Sequence, residues 1–254
     1  MKKFTIFLTA LLISSISAYS QEPTGKTWNF KVEPYLMAPF MKGPVGIANL
    51  PNVELDASAA DIFGNLKGAF MLYTEANNGQ WAIAADFVYM KLQQDIQPGN
   101  LVTGGEVTFN ETIFALEGYY RFLPWLEAGL GGRVVSMGGD MTVTRTELGP
   151  NDDPITSQAS IKKSWFDPVL LVRATLPDSD KWIGEFKADF GGFGIGSDMT
   201  YQLQAYGGYR FSRLFQASVG YRILGIDYES GTGTDRFLYN VTTSGPVLRL
   251  GFNF

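Results

Sequence analysis

The amino-acid sequence predicts an all-β fold: a transmembrane, antiparallel, up-and-down β-barrel of about ten strands, with eight or twelve as the alternatives. Three observations carry this expectation. Apolar and polar residues alternate in segments of roughly ten residues, the length a tilted strand needs to cross a bilayer. The links between segments alternate between short and long, as they do on the two rims of a membrane barrel. The large aromatic residues fall at segment ends, where such a barrel carries its girdles.

The chain of 254 residues opens on "MKKFTIFLTALLISSISAYSQ". Lys2 and Lys3 precede an apolar run from Phe4 to about Ile16, and small residues follow before Gln21. This predicts a secretory signal peptide over residues 1–20, leaving residues 21–254 as a single barrel domain. The run is shorter than the roughly 20 residues of a membrane-spanning helix, and no later stretch is apolar for that long. Cysteine is absent, which excludes a disulfide scaffold, and histidine is absent as well. Lys and Arg total 20 against 25 Asp and Glu; removing Lys2 and Lys3 with the signal leaves 18 against 25, a formal charge of −7. No basic patch suggests nucleic-acid binding. The 29 glycines and 14% aromatic residues suit many strands joined by turns.

The elements follow in order. Trp28 to Pro39 alternates and is followed by the longest link, Phe40 to Asn65. Leu66 to Glu75 and Trp81 to Gln93 are joined by the turn-forming "ANNGQ"; "DIQPGNLVTGGE" then leads to Val107 to Phe122. The dipeptide "LP" connects that segment to Trp125 to Thr144, and "RTELGPNDDPITSQAS" leads on to Ile161 to Leu176. "PDSDK" precedes Lys181 to Phe190, "GGFGIGSD" precedes Thr200 to Phe211, "SR" precedes Leu214 to Tyr228, and "ESGTGTDR" precedes Phe237 to Phe254. Short hairpin turns thus share one rim and long loops the other. Within the first long link, Leu55 to Leu66 has Ser58 three residues before Asp61, a capping-box spacing, with Ile62, Phe63 and Leu66 on one helical face. A short helix packed on the barrel lip is expected, a plug entering the lumen being the alternative.

Trp28, Trp81, Trp125, Trp182, Phe211, Phe215 and Phe254 sit at segment ends on the short-turn rim, and Tyr89, Phe166, Tyr228 and Phe237 toward the loop rim. Two aromatic girdles are expected. The phase of each segment follows from its charges. With Phe215, Val219, Tyr221 and Ile223 outward, Gln216, Ser218 and Arg222 point inward. The same rule gives an inward set of Lys31, Glu33, Lys67, Glu75, Asp86, Glu117, Arg121, Glu127, Arg133, Asp167, Arg173, Glu185, Lys187, Asp189, Arg210, Arg222 and Arg249. A basic residue on the lipid face costs roughly 2–4 kcal/mol at the midplane, so the opposite phase would be intolerable. Nearly balanced charges predict a lumen crossed by ion pairs and hydrogen bonds. The last segment turns Leu248, Leu250, Phe252 and Phe254 to lipid, and it must pair with the first, around "WNFKVEPYL", because lipid tolerates no open edge.

Catalysis is not expected. Without histidine, a Ser-His dyad or an Asp-His pair is impossible, and the Glu185 and Asp189 carboxylates read better as lumen ion-pair partners than as an acid and base. "GGFGIGSD" is not a strand-to-helix turn and lacks a P-loop lysine, so Gly191, Gly192, Gly194 and Gly196 belong to a tight loop. Asp152 and Asp153 have the chemistry to hold a divalent cation bridging lipopolysaccharide, but a solvated loop accounts for them better. No metal and no cofactor is expected.

The stretches "FKVEPYLMAPFMKGPVG", "LDASAADIFGNL", "SWFDPVLLVRA", "DFGGFGIGSDMTYQLQAYGGYRFS", "SVGYRILGIDYE" and "LYNVTTSGPVLRLGFNF" resemble a widespread group of Gram-negative outer-membrane β-barrel proteins, many of them without an assigned activity. The resemblance covers most of residues 21–254 and implies a cell outer-membrane barrel akin to the small barrels of the outer-membrane protein A and W types. The terminal aromatic resembles the signal read by the barrel-assembly machinery. The expected partners are therefore outer-membrane lipid, lipopolysaccharide and that machinery, with the barrel as a monomer. The expected role is a structural barrel or narrow passive pore with a charge-filled lumen. The alternative is a ligand-binding or transport barrel for small apolar molecules, gated by the first long loop.

Overall fold

A computed structural model of the chain describes residues 27–98, 102–146, 154–176 and 181–254; the expected signal peptide and Asp152 and Asp153 lie outside them. Strands β1 (Asn29–Met37), β4 (Leu66–Asn77), β5 (Trp81–Ile96), β6 (Val102–Leu123), β7 (Leu126–Thr146), β8 (Pro154–Thr175), β9 (Trp182–Gly192), β10 (Met199–Arg210), β11 (Phe215–Ser230) and β12 (Phe237–Asn253) form the wall. Each pairs antiparallel with the next, and β1 pairs with both β4 and β12 to close a 10-strand barrel. Lys31 faces Glu75 on one side of β1, and Val32 faces Phe252 on the other. Phe254 and Phe30 exchange backbone hydrogen bonds of 2.8 and 3.0 Å, so the chain end is sewn into the wall.

The ten sequence segments correspond to these ten strands, but the long links are partly taken up by strands. Strands β6, β7 and β8 run for 22, 21 and 22 residues, about twice a bilayer crossing. They take up Val102 to Glu106 of "DIQPGNLVTGGE" and residues 145–146 and 154–160 of "RTELGPNDDPITSQAS". Beyond the alternating part they are held by their ladders and by contacts such as Thr144 to Thr156 at 3.1 Å. Polar composition hid them from a search for alternation.

The first long link holds two further strands, β2 (Phe40–Ile47) and β3 (Val53–Ala57), and the helix α1 (Ala59–Gly64). β2 continues β1 in the same register along β12: Met37 faces Val247, and Phe40 faces Ser244. The ladder is interrupted at Ala38 and Pro39, and proline has no N–H to give it. Gly245 lies opposite that interruption, where a Cβ would come within 2.1 Å of the Ala38 carbonyl oxygen. β3 doubles back on β2, Met41 facing Ala57.

The pairing of β1 with β4 reaches Pro34 and Leu72. Beyond it, among the described residues, β3 has β2 as its strand neighbour and its other edge has none. Here α1 covers the seam. Ser58 caps it, with Asp61 N–H donating to Ser58 Oγ and Ser58 N–H donating to Asp61, a reciprocal capping box. These bonds, from the Ser58 side chain first and its backbone second, hold the Asp61 carboxyl below its ordinary range. The helix lies at the lip with Ile62 buried in the barrel, whereas Phe63 is 52% exposed and departs from the face expected for it. Asn65, beyond the helix, accepts the Gln93 N–H at 2.9 Å and so ties α1 to β5.

The exterior is apolar. Leu36, Leu130, Leu170, Phe186, Val219 and Leu250 are exposed around the wall, far beyond what a water-facing surface carries. On the short-turn rim Trp28, Trp81, Trp125, Trp182, Phe211 and Phe254 are exposed and Phe215 is half-buried. Trp182, Tyr209, Phe211, Phe215 and Phe252 touch in sequence around that rim, with ring centroids 5.2–5.7 Å apart. The loop-side girdle is only partly as expected. Phe166 faces outward, but Tyr228 and Phe237 are buried in the lumen. Tyr228 shares the parity of Arg222, and Phe237 that of Arg249, so alternation alone turns them inward.

Candidate functional site

The lumen has two parts. Toward the short-turn rim it is filled by charged and polar side chains, some bonded across adjacent strands and others across the lumen to strands that are not neighbours. Arg173 on β8 reaches Glu75 on β4, donates from Nε to Glu127 Oε2 at 2.5 Å, and lies 4.3 Å over the Tyr119 ring. Arg121 holds the other oxygen of Glu127 at 2.7 Å, and Lys31 stands 3.5 Å from Glu33 and 3.9 Å from Glu75. Lys187 on β9 grips both oxygens of Glu117 on β6 at 2.6 and 2.7 Å. Arg222 on β11 pairs with Asp86 on β5 at 3.0 Å, and Tyr35 bridges them by donating to Asp86 while accepting from Arg222, each at 2.7 Å.

Arg249 is the hub. Its guanidinium lies 3.7 Å over the Tyr206 ring and 5.1 Å from Tyr73, donates to Gln204 at 2.8 Å, and stands 3.4 Å from Glu185 and 3.7 Å from Glu33. Such planar, multidirectional contacts suit arginine rather than lysine. Higher up, Arg133 donates to Asp189 at 2.7 Å and to Thr200 at 2.8 Å, and Gln202 donates to the second oxygen of Asp189 at 2.8 Å. Asp167 accepts from the Ser197 N–H at 2.6 Å, the Ser197 hydroxyl at 2.8 Å and Trp165 Nε1 at 3.1 Å. These bonds pin the glycine-rich β9–β10 loop to β8. The loop turns through positive φ at Gly192, Phe193 and Gly194, the tight loop that its glycines suggest.

Of the inward set, Glu33, Glu75, Asp86, Glu117, Glu127, Arg133, Asp167, Arg173, Lys187, Asp189, Arg222 and Arg249 are buried, and Lys31, Arg121, Glu185 and Arg210 are half-buried. Lys67 is the exception. It is exposed, because the β4–β5 register slips by one residue between Leu66 and Gly68 and the parity rule fails there. Sequence reasoning also missed groups. Glu111 is buried and accepts from the Tyr239 hydroxyl at 3.3 Å; it shares the parity of Glu117 and Arg121, which was signal enough. Tyr35, Tyr73, Tyr119 and Tyr206 likewise share the parity of charged or amide neighbours and complete the network.

Toward the loop rim the lumen is apolar, which departs from the expectation of a charge-filled interior throughout. Met41, Ile62, Met90, Ile113, Val135, Met137, Leu224, Ile226, Phe237 and Val241 pack with Trp165 and Tyr228, whose rings stack at 3.9 Å. This layer borders a cavity of about 450 Å³, lined by residues of β2, β3, α1, β5, β6, β7, β8 and β12. Its lining contains no charged side chain.

No protein-family model matches the chain, and no curated protein matches it in sequence. Among solved structures, it is similar to the outer membrane protease OmpT of Escherichia coli, with 11% identity and a TM-score of 0.46 over 94% of this chain and 99% of that one. It is also similar to Ail, the attachment invasion locus protein of Yersinia pestis, with 12% identity and a TM-score of 0.35 over 91% and 100% of the two chains. The toluene transporter TodX of Pseudomonas putida shows 9% identity and a TM-score of 0.36 over 91% and 90%. The closed strand ladder, rather than these likenesses, establishes that the fold is an antiparallel β-barrel.

Proposed function

We propose that the chain is an integral outer-membrane barrel of structural or narrow-pore type, with a lumen closed by its own side chains. The observation that carries this reading is the network in which Arg173, Lys187, Arg222 and Arg249 each reach a carboxylate on a strand other than their neighbours. Buried charges paired in this way are expensive to separate, which favours a lasting barrier in the folded state. The apolar exterior and the aromatic short-turn rim support membrane insertion. The absence of histidine argues against a Ser-His or Asp-His hydrolase.

Planar-bilayer recording of the purified barrel tests the reading. The expected result is no steady conductance of large-porin size, together with a clear rise in the double variant Arg173→Ala, Arg249→Ala. A large steady conductance in the unaltered protein would overturn it.

A further inference from the structure

We infer that the apolar cavity on the loop side is a binding site for a small, uncharged, apolar molecule, entered at the seam that α1 covers. The volume of about 450 Å³ lies within the range of small-molecule pockets. The lining is aliphatic and aromatic, and its side-chain polar groups are the hydroxyls of Thr108 and Tyr239. The Tyr239 hydroxyl is committed to Glu111, the residue paired with Met137 of the cavity wall. A charged ligand would therefore find no free partner there, and a strongly polar one little compensation for lost water. Met41 and Met137 supply adaptable contact surface for an apolar guest.

The backbone ladder is also broken beside the cavity. β3 lacks a strand on its outer edge among the described residues, and what lies between it and β5 is a helix of 6 residues. The other strands that line the cavity are joined by backbone ladders, β12 to β2 and β5 through β6 and β7 to β8. A passage through the seam requires displacement of α1, whose apolar anchor is Ile62, rather than the opening of a ladder. The inference concerns binding above the ion network and stands whether or not that network conducts.

Photolabelling in lipid nanodiscs with 3-trifluoromethyl-3-phenyldiazirine, followed by peptide mass spectrometry, tests it. Labelling of Phe109, Met137 and Ile161 is expected to saturate with probe concentration and to be competed by naphthalene, while labelling of the outward Leu130 and Leu170 does neither. Gly139 lines the cavity, and a Cβ there stands 3.4 Å from Ile161, so Gly139→Leu extends into the space without backbone collision. Gly139→Leu, and independently Ile161→Trp, should lower cavity labelling about tenfold, the loss that a tenfold weaker site gives. Retained heat-modifiable mobility and unchanged labelling of Leu130 identify a folded variant. Unlabelled cavity residues, labelling linear in probe, or labelling indifferent to naphthalene because a lipid chain holds the site would each overturn the inference. So would undiminished labelling in both folded variants.

Discussion

Arg173 shows what a single residue does in this barrel. It neutralises Glu75, shares Glu127 with Arg121, and covers the Tyr119 ring, all without access to water. Replacing it by methionine keeps much of the volume but leaves carboxylates short of a cation. Arg173→Met is therefore expected to lower stability by about 3–5 kcal/mol, the cost of breaking a buried pair from one side. Urea unfolding of the barrel in lipid vesicles measures this, and a loss within the scatter of surface substitutions would show that the network is dispensable. That Arg173 faces inward was legible from its parity. Its partners were not, because Glu75 is 98 residues away along the chain and Glu127 is 46 away. Glu111 was legible by the same parity and was passed over, whereas Lys67 obeyed the rule in sequence and broke it in space through the β4 bulge.

Among the elements, α1 was readable because its signal is local. The Ser58 and Asp61 spacing that marks a capping box forms the observed cap. Since the Asp61 carboxyl is held below its ordinary range in the folded cap, the uncapped chain binds its proton at higher pH than the capped one. The cap's contribution is fully present above the ordinary carboxylate pKa and is lost as pH falls through the lower, folded value. Amide exchange at Asp61 and Ile62, corrected for intrinsic rate, should therefore quicken at acid pH in the unaltered protein. In Ser58→Ala it should be fast throughout, reflecting a cap worth about 1 kcal/mol. Equal protection of the two proteins at neutral pH would remove Ser58 from this role. β2 and β3 carried no such signal: "FMKGPVGI" holds two glycines and a proline in eight residues, and it is a strand because β12 extends past β1 and offers it an edge.

For the whole molecule, closure depends on β1 pairing with β4 and β12 below the seam, and neither ladder includes β2, β3 or α1. Replacing residues 40–64 with a short Gly-Ser linker should leave a barrel that still shifts mobility on boiling, while cavity photolabelling disappears. A variant that no longer shifts would show that the hairpin is needed for closure. By itself, the sequence pointed to about ten wall strands, the outward face of most of them, the pairing of the last strand with the first, and the short helix. Each follows from a rule that acts within one strand or one turn: side chains alternate, and charge is costly in lipid. Only the tertiary structure decided which lumen charges meet, that the loop side is apolar, that β6 to β8 run for 21 or 22 residues, and that a hairpin and helix complete one seam. Those features depend on which distant segments share an edge or a cavity, and that information resides in the assembled barrel rather than in any one stretch of chain.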